Sequence, residues 1–196
     1  MKGHFFMIVG PSGVGKSELI KFVLKEIPTL QKALSHTTRN IRKNEKDKID
    51  YHFISKKKYL EMLNNNEMIM HYQYAVNNEY YGTSKKEIIE KLQNNLNIID
   101  ETDEKSVSDM IKQKLLDKTL FTSIYILTPS EIENINRLKK RKDLSEEEII
   151  KRIENIKERL KLYLKYKKYF DYELINDNFE KTSKELKKII LNEMKT

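Results

Sequence analysis

Five consecutive apolar residues, Phe5-Phe6-Met7-Ile8-Val9, run straight into a polar, glycine-rich stretch, and this change from apolar run to breaker recurs along the chain. An apolar run without alternation reads as a strand covered on both faces. Positions 18–27 then mix apolar and polar residues at helical spacing and predict a helix. The succession returns further on, with a helix over 84–94 opened by the capping-box pattern Ser84-Lys85-Lys86-Glu87, a short strand over 97–100, a helix over 105–116 and the longest strand-like run over 120–127. Pro129-Ser130-Glu131-Ile132-Glu133 opens the next helix, again with a capping box, and Ser145-Glu146-Glu147-Glu148 opens another. In the latter, Ile149, Ile150, Ile153, Ile156, Leu160 and Leu164 predict one core-facing apolar stripe. A strand over 171–175 and a helix over 179–194, with Leu186, Ile189 and Ile190 inward, complete the pattern. Strands alternating with helices imply an α/β fold whose parallel sheet is covered by helices on both faces. Ligands then bind at the carboxyl ends of the strands.

One segment breaks the alternation. From about 35 to 83, aromatic and polar residues sit at β-like spacings around a short helix over 57–65, which predicts a small mixed α/β insertion.

The breaker after the first strand carries chemistry. Gly10-Pro11-Ser12-Gly13-Val14-Gly15-Lys16-Ser17 fits G-x-x-x-x-G-K-[ST] at every position, between a predicted strand and a predicted helix. Glycines let backbone N–H groups turn inward around a polyphosphate, Lys16 adds a cation, and the Ser17 hydroxyl is suited to Mg²⁺. The helix that follows turns its positive end toward the phosphates. A nucleotide triphosphate, ATP or GTP, is the ligand this motif predicts.

Composition narrows the rest. The chain has 196 residues, 38% hydrophobic and 35% charged, and fits one soluble domain with small insertions. No apolar stretch approaches the roughly 18 to 20 residues that span a bilayer, and the start does not resemble a secretory signal, so a cytoplasmic protein without membrane contact is expected. There is no Cys, which removes disulfides and thiolate ligands, and the four His are scattered. The net charge of +8 arises from Lys interspersed with Glu and Asn along predicted helices, which suits a solvated surface better than nucleic acid. Only Lys56-Lys57-Lys58 and Lys139-Lys140-Arg141-Lys142 are dense, and the second is placed where phosphate chemistry needs it.

The motifs in order carry a resemblance. Ser35-His36-Thr37-Thr38-Arg39-Asn40-Ile41-Arg42-Lys43-Asn44-Glu45, Asp50-Tyr51-His52-Phe53, Tyr80-Tyr81-Gly82-Thr83-Ser84, Asn97-Ile98-Ile99-Asp100, Arg137-Leu138-Lys139-Lys140-Arg141 and Leu174-Ile175-Asn176-Asp177 follow the phosphate loop across essentially the whole chain. This succession resembles the guanylate kinases. The resemblance implies a P-loop NTPase-type sheet, a core of 1–34, 84–136 and 153–196, a monophosphate-binding subdomain over 35–83 and a lid over about 137–152. It also implies transfer of a phosphoryl group from Mg²⁺-ATP to GMP, and to dGMP, by a monomer or homodimer. Ser35, Arg39, Arg42, Glu45, Tyr51, Tyr81, Thr83 and Asp100 match the family's monophosphate site. Arg137, Arg141 and Arg152 match its phosphate-clamping arginines, which act with Lys16, and Asn176 matches a position near the adenine. The residue types agree, since arginines and phenols hold a dianionic phosphate while hydroxyls and carboxylates read a base edge.

The chain departs from the family at three places. Met70 falls where a glutamate accepts the guanine N1 and N2 hydrogens, and it cannot accept them. The stretch from Met70 to Tyr81 is longer than usual, so Glu79 or Gln73 is expected to supply the missing group. The family's D-x-D reads here Asp100-Glu101-Thr102-Asp103, with the second carboxylate moved or replaced. A kinase of the same fold with relaxed base choice is the competing expectation, and a non-catalytic binding module the remote one.

Overall fold

The computed structural model describes residues 3–43, 45–141 and 144–195; Asn44 of the first motif and Lys142 of the basic cluster lie outside them. In chain order the elements are β1 (Phe5–Val9), α1 (Lys16–Glu26), β2 (Leu30–Lys32), β3 (His36–Thr37), β4 (His52–Phe53), α2 (Lys56–Asn64), β5 (Met68–Tyr74) and β6 (Glu79–Ser84). They continue with α3 (Lys85–Gln93), β7 (Asn97–Glu101), α4 (Glu104–Lys112), β8 (Phe121–Leu127), α5 (Glu131–Lys139), α6 (Glu146–Tyr166), β9 (Tyr172–Ile175) and α7 (Phe179–Glu193).

Five strands form a parallel sheet in the order β2-β7-β1-β8-β9. Every residue of β1 is buried, which is why its sequence shows no alternation. Phe6 and Ile8 face a cluster built with Leu19 and Val23 of α1 and with Leu186 and Ile190 of α7. Phe5, Met7 and Val9 face the opposite cluster, with Val107 and Met110 of α4, Ile88 of α3 and Tyr163 of α6. The strand order reverses at β1, so its carboxyl end opens on a crevice between β7 and β8, and the phosphate loop sits there. Among the described residues no helix is long and apolar enough to cross a membrane.

The insertion forms its own four-stranded sheet in the order β4-β3-β6-β5. Its β5–β6 hairpin is antiparallel, pairing Met70 with Thr83 and Tyr72 with Tyr81. Gly82 lets the strands close on α2, because a Cβ there would lie 2.4 Å from the Tyr59 hydroxyl and 2.5 Å from the Met70 carbonyl.

Three local expectations need correction. Only Ser145 forms a full capping box, with Glu148. Ser84 and Ser130 accept the cap hydrogen bonds, but Glu87 turns to the Leu34 N–H and Glu133 to Arg137. On α6, Ile150 and Leu164 are exposed at 59% and 71%, and the buried positions are Arg152, Ile156 and Tyr163. The helix turns a partly charged face inward, which an apolar-stripe reading does not reveal.

Candidate functional site

A cleft of about 790 Å³ opens at the carboxyl ends of β1 and β7, between the two sheets and α5 and α6. Of the phosphate-loop, adenine-side, monophosphate-site and clamping residues expected from the sequence, all but Pro11, Val14 and Asn176 line it.

The phosphate loop leaves β1 at Gly10 and enters α1 at Gly15. Gly13 and Gly15 have φ of +88° and +94°, a left-handed conformation that glycine adopts without strain. Val14 points the other way, into the core, and anchors the loop. Lys16 is 7% exposed, and its Nζ donates to the carbonyls of Gly10 at 2.7 Å and Pro11 at 2.8 Å. It also lies 3.2 Å from Glu101 Oε1. Burial lowers its proton affinity and Glu101 opposes that shift. The Ser17 hydroxyl donates to Glu101 Oε2 at 3.3 Å.

The Asp100-Glu101-Thr102-Asp103 segment divides its work by strand alternation. Asp100 and Glu101 point to opposite sides of β7, Asp100 toward the insertion and Glu101 toward the phosphate loop. Asp103 accepts the Ser106 N–H at 2.8 Å and caps α4. Glu101 is therefore the carboxylate that faces Lys16 and Ser17.

Asp100 is 3% exposed. Its Oδ2 accepts from Ser35 Oγ and from Thr83 Oγ1, both at 2.6 Å, and its Oδ1 accepts the Glu101 N–H at 2.9 Å. Burial pushes its pKa up to about 6 even though the two hydroxyls favour the ionised form. Ser35, Thr83 and Asp100 thus make one compact polar patch from β6, β7 and the end of the β2–β3 connection.

Farther out, Arg39 forms a bidentate pair with Glu45, each contact 2.6 Å. Arg39 holds the Glu45 carboxyl below its ordinary value. The Arg39 guanidinium lies 5.2 Å from the Tyr51 ring, and Tyr51 meets Tyr81 edge-on at 6.2 Å. Burial raises the Tyr51 phenol, so it remains a neutral donor. Arg42 is exposed at the rim.

From the α5–α6 side, Arg137 pairs with Glu133 at 2.8 Å, and Arg152 Nη1 donates to Ser12 Oγ at 3.0 Å. Arg141 lines the same wall. Asn176 lies behind the phosphate loop, 4% exposed, and donates to the Val14 carbonyl at 2.8 Å. In this structure it steadies the loop and does not line the cleft.

The expected substitutes for the missing glutamate are placed elsewhere. Gln73 is exposed and bonds the Asn78 carbonyl at 2.9 Å, while Glu79 accepts from the Thr38 hydroxyl. Strand alternation explains it: Met70, Tyr72 and Tyr74 share the cleft-facing side of β5, and Gln73 faces away. That period of two was the available signal for Tyr72, which stacks on Tyr81 at 5.5 Å and 13°, and for Tyr74. Arg159 was also missed; it lies seven residues, or about two turns, from Arg152 on the same side of α6.

A family model described as guanylate kinase matches residues 2–193. A guanylate kinase of Wigglesworthia glossinidia brevipalpis is 38% identical over 196 residues, covering 99% of this chain and 90% of that protein. One of Mycoplasmoides gallisepticum is 35% identical over 191 residues, covering 97% and 93%. The crystal structure of guanylate kinase from Anaplasma phagocytophilum superposes with a TM-score of 0.74 at 21% identity, covering 100% of this chain and 88% of that one. With the phosphate loop, the inserted sheet and the arginine-lined cleft in one arrangement, and with relatives at this identity along nearly the full length, the chain belongs to the guanylate kinase family.

Proposed function

We propose that this chain transfers the γ-phosphoryl group of ATP to GMP, and to dGMP, giving ADP and the nucleoside diphosphate. The observation that carries this reading is the facing of two anion sites in one cleft: the phosphate loop with Lys16 on one wall, and Arg39, Tyr51 and Tyr81 on the other.

In this reading the loop amides and Lys16 hold the triphosphate. Arg39 and Arg42, with the two phenols, hold the acceptor's phosphate by charge-assisted hydrogen bonds. Met70 is apolar, so the guanine N1 and N2 hydrogens fall to the Asp100 carboxylate, with the rotatable hydroxyls of Ser35 and Thr83 completing the edge. An oxygen of the acceptor phosphate attacks the γ-phosphorus, the bond from that phosphorus to the β,γ-bridging oxygen breaks, and ADP leaves with the electron pair. The acceptor is already an anion, so no general base is needed. Negative charge spreads over the equatorial oxygens, and Lys16, Arg137, Arg141 and Arg152 are placed to stabilise it. Residues about 137–152 act as the lid over the core, and 35–83 as the monophosphate-binding subdomain.

The Ser17 hydroxyl and Glu101 carboxylate, 3.3 Å apart, are hard oxygen donors of the kind Mg²⁺ takes. They would hold the cation, which when bound offsets phosphate charge. Both nucleotides are cytoplasmic metabolites, and we place the protein there. A coupled assay of ADP release with ATP and each of GMP, dGMP, AMP, CMP and UMP tests the reading. GMP and dGMP should turn over with the highest kcat/KM; equal rates with AMP would overturn the base assignment, and no release with any acceptor would overturn the activity.

A further inference from the structure

The carbonyl of Gly10, the first residue of the phosphate loop, is buried and has two donors: Lys16 Nζ at 2.7 Å and Arg159 Nη2 at 3.2 Å. In the kinase reading Lys16 is also the cation that would turn to the triphosphate and give up this carbonyl. Once Lys16 turns to a phosphate, a buried carbonyl with no other donor would be left unpaired, and that loss opposes binding. Arg159 is the donor that stays.

Its fork is fixed from behind. Arg159 Nε lies 2.8 Å from Glu104 Oε1 and 2.7 Å from Glu104 Oε2. Glu104 is fully buried in the first turn of α4, and its Oε1 also accepts from the Tyr125 hydroxyl at 2.8 Å. The charge on Arg159 is thereby matched inside the fold, and its Nη2 reaches the loop at Gly10. Arg152, on the same helix face, holds Ser12. Helix α6 therefore holds the phosphate loop at two points, Gly10 and Ser12.

We propose that Arg159 is a positioning residue for the phosphate loop. It keeps the Gly10 carbonyl paired when Lys16 moves to the bound triphosphate, and Glu104 and Tyr125 hold its guanidinium in place. The inference rests on the kinase reading above, and it predicts an effect on the ATP side alone.

Calorimetric binding of a non-hydrolysable ATP analogue with Mg²⁺, which needs no acceptor, separates the two ideas. Arg159→Met should weaken the analogue about tenfold. It should raise the KM for ATP by a similar factor and leave the KM for GMP within about twofold. Arg159→Lys, which keeps a donor for Gly10, should recover most of the affinity. If Arg159→Met alone does not fold because Glu104 is stranded, Arg159→Met with Glu104→Gln removes that charge and should show the same loss. Wild-type protein that binds the analogue while the folded variants bind it equally well would overturn the positioning role, as would a parallel rise in both KM values. Wild-type protein that binds no analogue would overturn the kinase reading itself.

Discussion

Replacing Asp100 by Asn separates what the Ser35–Thr83–Asp100 patch does for the proposed base recognition from what it does to stability. The carboxylate is 3% exposed, and burial raises its pKa from 3.8 to about 6 against the pull of Ser35 and Thr83. The folded state thus holds this proton more tightly than the unfolded chain. Its contribution to stability is fully present below pH 3.8 and is lost as pH rises through about 6. A displacement of this size corresponds to about 3 kcal/mol, of which about 2 kcal/mol is lost between pH 4.5 and pH 7.5. Asn is neutral throughout, and its amide can be accommodated: the oxygen accepts the Glu101 N–H, and the NH₂ donates to the Ser35 and Thr83 oxygens. Urea unfolding of both proteins at pH 4.5, 6 and 7.5 should show the variant gaining about 2 kcal/mol on the wild type across that range, or about 4–8 °C in Tm. At pH 7.5 the same variant should raise the KM for GMP about tenfold or more, with the KM for ATP unchanged. A stability difference that stays flat with pH would refute the burial argument. An unchanged KM for GMP would remove Asp100 from base recognition.

Lys16→Ala should lower kcat by about a hundredfold or more while the circular dichroism spectrum stays native, because the polar partners of its ammonium are loop carbonyls and Glu101; near-normal kcat with Mg²⁺-ATP would contradict its role. Ser17→Ala should raise the Mg²⁺ concentration needed for half-maximal rate, read from a titration at fixed ATP. Arg39→Ala should raise the KM for every accepted monophosphate by a similar factor, about tenfold; a change in base preference instead would misplace the residue. Gly82→Ala should destabilise by about 1–3 kcal/mol, since its Cβ meets the Met70 carbonyl at 2.5 Å, and thermal melts would show the drop.

The central fold was legible because its signals are local. An unbroken apolar run marked β1, a long run broken only by Thr122-Ser123 marked β8, and serines at helix starts marked α3, α5 and α6. Strand β2 carries only three residues, two of them exposed and polar, and gains its place by pairing with β7, which no local pattern announces. The cleft was legible where a motif fixes it, from Gly10 to Ser17. What remained hidden were partnerships between distant residues. Glu104 and Arg159 are 55 residues apart and read singly as surface charges. Met70 drew attention as a missing carboxylate, yet Gln73 and Glu79 of the longer hairpin bond the Asn78 carbonyl and the Thr38 hydroxyl, while the buried carboxylate lining the cleft near Met70 is on another strand, at Asp100.

Four cations of the cleft have partners within the chain: Lys16 two carbonyls and Glu101, Arg39 the Glu45 carboxylate, Arg137 Glu133 and Arg159 Glu104. Phosphate binding is therefore an exchange of partners, and the net charge of +8 overstates the attraction the site exerts. A single small anion offers a guanidinium or ammonium much the same oxygens as the carboxylate it displaces and gains little. A polyphosphate offers several oxygens at once to Lys16 and the loop amides, and Mg²⁺ shared with Ser17 and Glu101 would leave the released carboxylate with a cation of its own. Selectivity for a metal-bound triphosphate over smaller anions then follows from the partners that must be displaced, and removing Glu101 should strengthen binding of metal-free anions while weakening that of Mg²⁺-ATP.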